Sequence, residues 1–504
     1  MTLHLSYPEV TVAVATFVII FMFIKTLTKK YKSPPGPWGL PVFGSFFQLG
    51  ELPHITLAKM KKQYGDVFLI KLGNVPVVVV NGQETIKKVL VKQGESFAAR
   101  PKLYSLSLFS GPDSFIFSPH YGETVKQLRK TAKNAMQMFT KAEAKTSTCS
   151  CVLEDYVTTE AMELVNTLGR LTEKDGFFNP NIAIASAVTN VVCALCFGTR
   201  YGHTDKDLDG FMDITDEAHK STGFTGLVDF IPLLRYLPLP GLKSQIELQN
   251  QLRTFIKKHI TEHYSTYDEN YVRDITDALV SLCEKKRRKD NTSLLTDDQI
   301  LTVASDIFGA GFSTTQVALH WIILYLLQNP ESQVRIQKEI DENIGDNRAP
   351  RFEDRKELHY TESFINEVFR HTSFMPLSVP HCTTKDVYLN GYFIPRDTCV
   401  FINHYQVNHD PSIWADPETF IPDRFLDEDG KFNRSLQEKV HLFGMGTRVC
   451  LGEDIARNEI FLIVASILQR LKLEHNVHES LDLTPLNGMS LKPKQFKLKV
   501  VQRT

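Results

Sequence analysis

Between residues 67 and 80 the chain runs through two apolar stretches, Val67–Leu72 and Val75–Val80, broken by Gly73-Asn74, a pattern that predicts a β-hairpin. A second strand pair is expected from Tyr388–Ile394 with Cys399–Ile402. Elsewhere apolar positions recur at helical spacing. Thr296 and Gln299 form a capping box at the head of one long helix, which should run to about Gln328, before Asn329-Pro330. Leu451, Ile455, Ile460, Phe461, Ile463, Val464, Ile467, Leu468 and Leu471 trace another. Helical patterns dominate, so the expected fold is mainly α with a small β region.

The N-terminus follows a different pattern. From Leu3 to Ile24 it is almost wholly apolar, with His4 and Glu9 near its start, and Lys25, Lys29, Lys30 and Lys32 follow. Roughly twenty such residues can span a bilayer, with the lysines held on the cytosolic side. The charges follow the apolar stretch and no small-residue cleavage site is evident, which favours an uncleaved anchor over a signal peptide. The next segment, Ser33-Pro34-Pro35-Gly36-Pro37-Trp38-Gly39-Leu40-Pro41-Val42-Phe43-Gly44, has too many prolines for a helix or a central strand. It reads as a stiff hinge. The expected division is an anchor with its basic flank over 1–32, a hinge over 33–44 and a body over 45–504.

Composition narrows the function classes. The 504 residues contain no internal repeat and no Ser/Gly-rich linker in the body, so one large domain is expected. A net charge of -1 from nearly equal acidic and basic counts gives no reason to expect a nucleic-acid partner. The eight cysteines are sparse and irregular, which fits a reducing compartment. Cys193 and Cys196 form a Cys-x-x-Cys in the apolar run 188–197, but no second pair completes a zinc site, so both are read as core. Lys285-Lys286-Arg287-Arg288-Lys289 is read as a solvated loop rather than a nuclear signal. Lys126, Arg129, Lys130 and Lys133 make a basic helical stripe suited to an acidic redox partner. The apolar, proline-rich segment 230–240 leaves two readings open: it dips into a membrane, or it packs as a loop on the body.

The chemistry centres on Phe443-Gly444-Met445-Gly446-Thr447-Arg448-Val449-Cys450-Leu451-Gly452, a lone cysteine in a glycine-rich loop that opens an apolar helix. A cysteine that ligates iron must be a thiolate, its charge stabilised by nearby donors and its backbone open to close approach. Gly444, Gly446 and Gly452 remove side chains where a flat ring would lie. The helix that follows brings free N–H groups and a positive dipole end near the sulfur. A buried core cysteine at a helix start is the plainer reading of Cys450 alone. The whole segment resembles the thiolate loop of a cytochrome P450.

Within the long helix lies Ala310-Gly311-Phe312-Ser313-Thr314-Thr315. Gly309 and Gly311 each cost roughly 1 kcal/mol against alanine in a helix interior, which suggests a close approach to the backbone. Helix packing at small residues is the plainer explanation. The resemblance gives Thr314 the task of relaying protons to reduced dioxygen. The family usually has an acid before this threonine, where the chain has Ser313, which cannot act as a carboxylic acid near neutral pH. A water chain, helped by Asp306 on a similar helix face, is the expected substitute.

Glu367 and Arg370, three apart among Phe364, Val368 and Phe369, match the family's Glu-x-x-Arg. With Arg424 they are expected to form a buried structural lock. The resemblance assigns Arg448, His381 and Arg129 to the haem propionates, and Phe443, Gly444, Gly452 and Ala310 to the ring. The family usually has tryptophan where Val125 stands, which puts one propionate contact in doubt.

The resemblance covers nearly the whole chain. It is most similar to cytochrome P450 family 1, whose members oxidise planar aromatic compounds, including polycyclic hydrocarbons and estrogens. It implies a cytochrome P450 fold with an N-terminal transmembrane anchor in the endoplasmic reticulum and a catalytic domain facing the cytosol. It also implies haem b, O2 and a lipophilic substrate. Phe117, Phe109, Asp306, Gly309, Ala310, Val379 and Ser490 are its candidate pocket residues. The chain has no Gly-x-Gly-x-x-Gly and no flavin module, so electrons from NADPH should arrive through NADPH-cytochrome P450 reductase, with cytochrome b5 as a further donor. Other readings are a haem-thiolate isomerase or dehydratase acting on a peroxide, a steroid-specific hydroxylase, or a non-enzymatic haem or steroid binder.

Overall fold

The computed structural model describes residues 16, 31–109, 114–141, 151–202, 225–237, 239–290 and 295–503. The span expected over residues 3–24 therefore lies outside the described residues, Thr16 excepted.

Helix α1 (Pro53–Tyr64) leads into the hairpin of β1 (Val67–Leu72) and β2 (Val75–Val80), paired from Val67 opposite Val80 to Leu72 opposite Val75, as the two apolar stretches broken at Gly73-Asn74 predict. The longer helices that follow are α2 (Glu123–Lys141), α3 (Val152–Asp175), α4 (Asn181–Phe197), α5 (Pro240–Thr266), α6 (Ile275–Asp290), α7 (Asp297–Gln328), α8 (Pro330–Asn343) and α9 (His359–Thr372). Four short strands come next, β3 (His381–Cys382), β4 (Val387–Leu389), β5 (Tyr392–Ile394) and β6 (Cys399–Ile402). Helix α10 (Glu453–Arg470) and the pair β7 (Leu471–Glu474) and β8 (Lys499–Gln502) complete the body.

The second strand pair differs from expectation. Residues 388–394 do not pair with 399–402; β4 folds back on β5 around Asn390-Gly391, both at positive φ, as a tight two-residue turn requires. Strand β6 instead lies parallel to β2 and antiparallel to β3, giving a sheet ordered β1-β2-β6-β3. This pairing is non-local, so turn residues could not reveal it.

Helix α7 is the axis of the helical body. Thr296 caps it as expected: its hydroxyl accepts from Gln299 N at 3.2 Å while its own N–H donates to Gln299 Oε1 at 3.1 Å. The helix is long and apolar enough to cross a bilayer, but 67% of its most apolar stretch is buried inside the body. It is a core helix, packed on α4, α9 and α10. Cys193 and Cys196 are buried in α4, as expected. The basic run at 285–289 ends α6 rather than forming a loop, and Arg287 pairs with Glu284 at 2.7 Å.

The segment from residue 33 lies against the body: Leu69 N–H donates to Pro35 O at 2.7 Å, and a Cβ on Gly36 would meet Leu69 O at 1.8 Å. Glycine is required there by space, not by φ.

Candidate active site

The loop before α10 is shaped by two left-handed glycines, Gly444 (φ +70) and Gly446 (φ +65). A short 3-10 turn over Gly446–Arg448 follows, and Cys450 N–H returns to Phe443 O at 2.9 Å, closing the loop. A Cβ on Gly446 would lie 2.0 Å from Leu90 O. Gly446 is thus needed for packing against the backbone at Leu90, not to clear space for a ring. The loop hands over to α10 at Gly452, whose backbone hydrogen bond pulls the Cys450 thiol down, as do Arg129 and Arg457. Burial is the larger effect and pushes that thiol up overall. Among the described cysteines, Cys450 is exposed to an internal cavity; Cys196 borders the same cavity but is buried, and the rest are buried in packing.

That cavity, about 270 Å³, lies between α7, the Cys450 loop and the first turns of α10. From α7 it is bordered by Asp306, Ala310, Gly311, Thr314 and Thr315, and from the loop by Phe443, Gly444, Arg448, Cys450 and Gly452. Arg129, Val379 and His381 also reach it. Ser313, Gly309, Phe117 and Ser490 are not among its lining residues. Phe117 packs instead against the cluster under the β1-β2 hairpin, and the side chain of Phe109 lies outside what the structure describes. Gly309 would admit a Cβ into open space, while one on Gly311 would touch Val192 at 3.2 Å. Close packing of α4 therefore accounts for Gly311, and nothing in the structure accounts for Gly309.

One side of the cavity is cationic. Arg448 donates from Nε to Ala98 O at 2.7 Å and from Nη1 to Phe115 O at 2.6 Å. Its Nη2 is buried with no hydrogen-bond partner among the described residues. Arg129 donates to Val449 O at 2.7 Å, and His381 Nδ1 meets Phe97 O at 2.8 Å. Arg129 thereby leaves the basic stripe for the interior, and Lys126 pairs with Glu95 and Glu123 at 2.8 and 3.2 Å. Lys130 and Lys133 remain exposed.

Sequence reasoning missed Arg100. It borders the same cavity and donates to the carbonyls of Ile116, Val379 and Pro380 at 2.8–3.0 Å. Burial, then Arg448 and Arg129, holds its guanidinium below the ordinary arginine range. Burial and Arg129 likewise bring Arg448 down to about 10. His381 is pushed well down by burial, then by Arg100. Three guanidiniums donate to carbonyls here without a direct carboxylate partner among the described residues, an arrangement that calls for an anion. Val125 is buried in α2 and carries no donor for one.

Asp306 faces the opposite duty from the one expected. Its carboxylate accepts from Ser114 Oγ at 2.8 and 3.0 Å, from Phe115 N at 2.8 Å and from Ile116 N at 3.3 Å. It ties this loop to α7. Burial raises it to about 7 against the pull of those donors. On α7 itself, Thr314 Oγ1 donates back to Ala310 O at 2.8 Å and Ser313 Oγ to Gly309 O at 3.3 Å.

Behind the loop, Arg370 makes a bidentate pair with Glu367 at 2.7 and 2.8 Å, both side chains fully buried. Arg424 adds a contact to Glu367 Oε1 at 3.0 Å. Arg370 also donates to Asn408 O and Pro417 O, so the lock joins α9 to the segment that leads towards the Cys450 loop.

A helical body with a cysteine loop and a threonine helix facing one cavity defines a haem-thiolate class of oxidoreductase. The cytochrome P450 family model matches residues 34–500. Cytochrome P450 1A1 of Felis catus is 43% identical, covering 98% of this chain and 96% of that protein. The Rattus norvegicus protein is 44% identical over 97% of this chain and 94% of its own length, and the Homo sapiens protein 42% over 97% of each. The chain belongs to the cytochrome P450 family and is a monooxygenase. Its cofactor is haem b, with electrons supplied by a partner protein. The residues present fit that group: the unpartnered Arg448 Nη2 and the arginine cluster suit propionates, and of the two cysteines that border the cavity, Cys196 and Cys450, Cys450 is the exposed one.

Proposed function

We propose that the protein is a membrane-anchored monooxygenase that inserts one oxygen atom into lipophilic substrates, planar aromatic compounds or steroids, using electrons from NADPH-cytochrome P450 reductase. The observation that carries this reading is that Cys450, Thr314 and the buried, unpaired Arg448 Nη2 converge on one internal cavity. Haem supplies dioxygen binding and stepwise electron acceptance. Cys450 would hold its iron as a thiolate, and Arg448, Arg129, Arg100 and His381 would meet its carboxylates. Thr314 holds a hydroxyl at the cavity wall, where it can accept a proton on a lone pair and pass its own onward. Phe115, Ile116 and Ile307 offer apolar surface to a flat substrate, and Asp306 holds the first two in place.

The membrane reading rests on sequence 3–24 and on exposed apolar side chains of the body. Leu233 and Tyr236 are 74% and 87% exposed, and Trp38 and Phe47 are 73% and 71% exposed. Phe46 stacks edge-on against Phe230, which links these two exposed groups into one face. That face suits immersion in the cytosolic leaflet of the endoplasmic reticulum, with 1–32 as anchor, 33–44 as hinge and 45–504 as the catalytic domain. Lys130 and Lys133 remain available to the reductase and to cytochrome b5.

The test is a reduced, carbon-monoxide difference spectrum of the wild type and of Cys450→Ser. A thiolate-type Soret band in the wild type, lost in the variant, is expected; its absence from the wild type sinks the reading. Ser313, which leaves no acid beside Thr314, favours a second reading, an isomerase acting on a peroxide. NADPH-dependent oxygen consumption with a reductase present separates the two.

A further inference from the structure

Two histidines outside the cavity chemistry lie buried against each other. His404 opens the short helix His404–Asn408 that follows β6, and His441 sits on the segment that leads into the Cys450 loop. They are 0% and 3% exposed, with ring centres 5.6 Å apart and ring planes at 75°. Nδ1 and Nε2 of both rings lack a hydrogen-bond partner among the described residues. Burial, and for His404 also His441, pushes the two rings down to about 3 and about 4, so both are neutral at pH 7. Each then keeps one N–H and one bare lone pair, groups that are costly to bury unmatched.

The backbone fixes this pairing. Asn408, one turn after His404 on the same helix, accepts from His441 N at 2.8 Å and donates to His441 O at 2.9 Å. The Met375 carbonyl pulls His404 up without reaching ordinary hydrogen-bond geometry. Metal-ligating histidines turn their second N–H towards such a carbonyl. Comparable clusters elsewhere are already spent. His371 and His409 lie 6.0 Å apart, but the nitrogens of His371 are taken by Tyr325 OH and Glu418 O. His263, Asp274 and Asp277 also gather, yet His263 is held between His259 O and Asp274, and Asp277 pairs with Arg273 at 2.6 and 2.9 Å.

We propose that His404 and His441 together hold a transition-metal ion of the zinc type, which pins the entry of the Cys450 loop to the helix after β6. An ion about 2.0–2.1 Å from one nitrogen of each ring reproduces the 5.6 Å separation of the ring centres at an N–metal–N angle of roughly 120°, near the tetrahedral value. Paired imidazoles without an oxygen cage suit zinc or copper rather than magnesium or calcium. The remaining coordination positions go to water. His441 borders a groove of about 490 Å³ whose walls carry Glu438, Glu453 and Asp454 beside Lys356 and Arg434. Glu438 and Asp454 are exposed, so the groove opens to solvent and its acids favour entry of a cation. Neither histidine is among the residues that line the haem cavity. The ion is therefore structural and takes no part in oxygen chemistry, and the site holds whatever substrate the haem oxidises.

The experiment loads the haem-containing full chain with Zn2+, dialyses it, and measures zinc per chain in wild type, His404→Leu, His441→Leu and the double variant. The wild type should retain one zinc more than either single variant, and the double variant should lose no more than each single one, because both rings serve one ion. The carbon-monoxide spectrum should stay the same in all four. Zinc should raise the unfolding temperature of the wild type alone. Without zinc the leucine variants should unfold at the higher temperature, since they bury no unmatched nitrogen. Equal retention in all four proteins means adventitious surface zinc only, and no retention in any means a buried water only; either result overturns the proposal. Should the leucine variants fail to fold, zinc-edge X-ray absorption of the wild type decides: two imidazoles per retained ion are expected, and fewer overturn the proposal.

Discussion

Asp306 Oδ2 accepts from Ser114 Oγ at 2.8 Å, joining the middle of α7 to the loop that carries Phe115 and Ile116 into the cavity wall. The pair sets the pH response of that wall. Asp306 is raised from 3.8 to about 7 in the fold, so the folded state binds a proton that the unfolded chain has released between those values. Its contribution to stability is full below about 4 and is lost as pH rises through 7. Thermal unfolding of the wild type should therefore show a downward step in stability between about pH 4 and 7 that Asp306→Asn lacks. A variant profile parallel to the wild type would contradict this. Ser114→Ala should cost roughly 1.5–3 kcal/mol above pH 7, where the lost donor served a charged acceptor.

Arg100 and Arg448 should matter equally for cofactor retention. Both are buried beside the cavity, and Arg448 keeps an unused N–H for an anion. Arg100→Leu and Arg448→Leu should each lower the haem-to-protein ratio and speed haem loss to an acceptor protein. Retention at the wild-type level in Arg100→Leu would remove that residue from the set.

Local features of this chain were open to reading, and non-local ones were not. The β1-β2 hairpin and the Thr296 capping box are decided by residues within a few positions of each other, and both formed as expected. The Glu367-Arg370 pair carried its spacing and its apolar flanks in one short segment. By contrast, β6 finds β2, and Arg100 finds Arg448, across hundreds of residues, with no sequence signal for either meeting. Glu459, buried on α10 at the cavity, did leave a trace. Ile455, Glu459 and Ile463 recur every four residues, which sets a carboxyl on the apolar stripe of α10. The family pattern drew attention to Asp306 as the substitute acid, but an acid held by three donors has no lone role as a proton source.

The lock at Glu367 should dominate stability. Its carboxylate meets Arg370 and Arg424 and accepts from Ile421 N at 2.8 Å, with Glu367 and Arg370 fully buried. Glu367→Ala leaves a fully buried guanidinium unpaired, which should cost about 3–5 kcal/mol. Arg424→Ala should cost less, since Arg370 still satisfies Glu367. Denaturant unfolding followed by tryptophan emission gives both values. A smaller loss for Glu367→Ala than for Arg424→Ala would reverse the assignment.

Coupling should depend on Ser313 and Thr314 of α7 in opposite ways. Thr314 lines the cavity and its oxygen can accept a relayed proton, so Thr314→Ala should divert electrons to peroxide. Ser313 lies off the cavity and donates weakly to Gly309 O, so little is lost by replacing it. Ser313→Asp adds a carboxyl beside Thr314, and peroxide released per NADPH should fall below the wild-type value while the carbon-monoxide spectrum stays the same. Peroxide release unchanged by Ser313→Asp would mean that proton supply does not limit turnover in this chain.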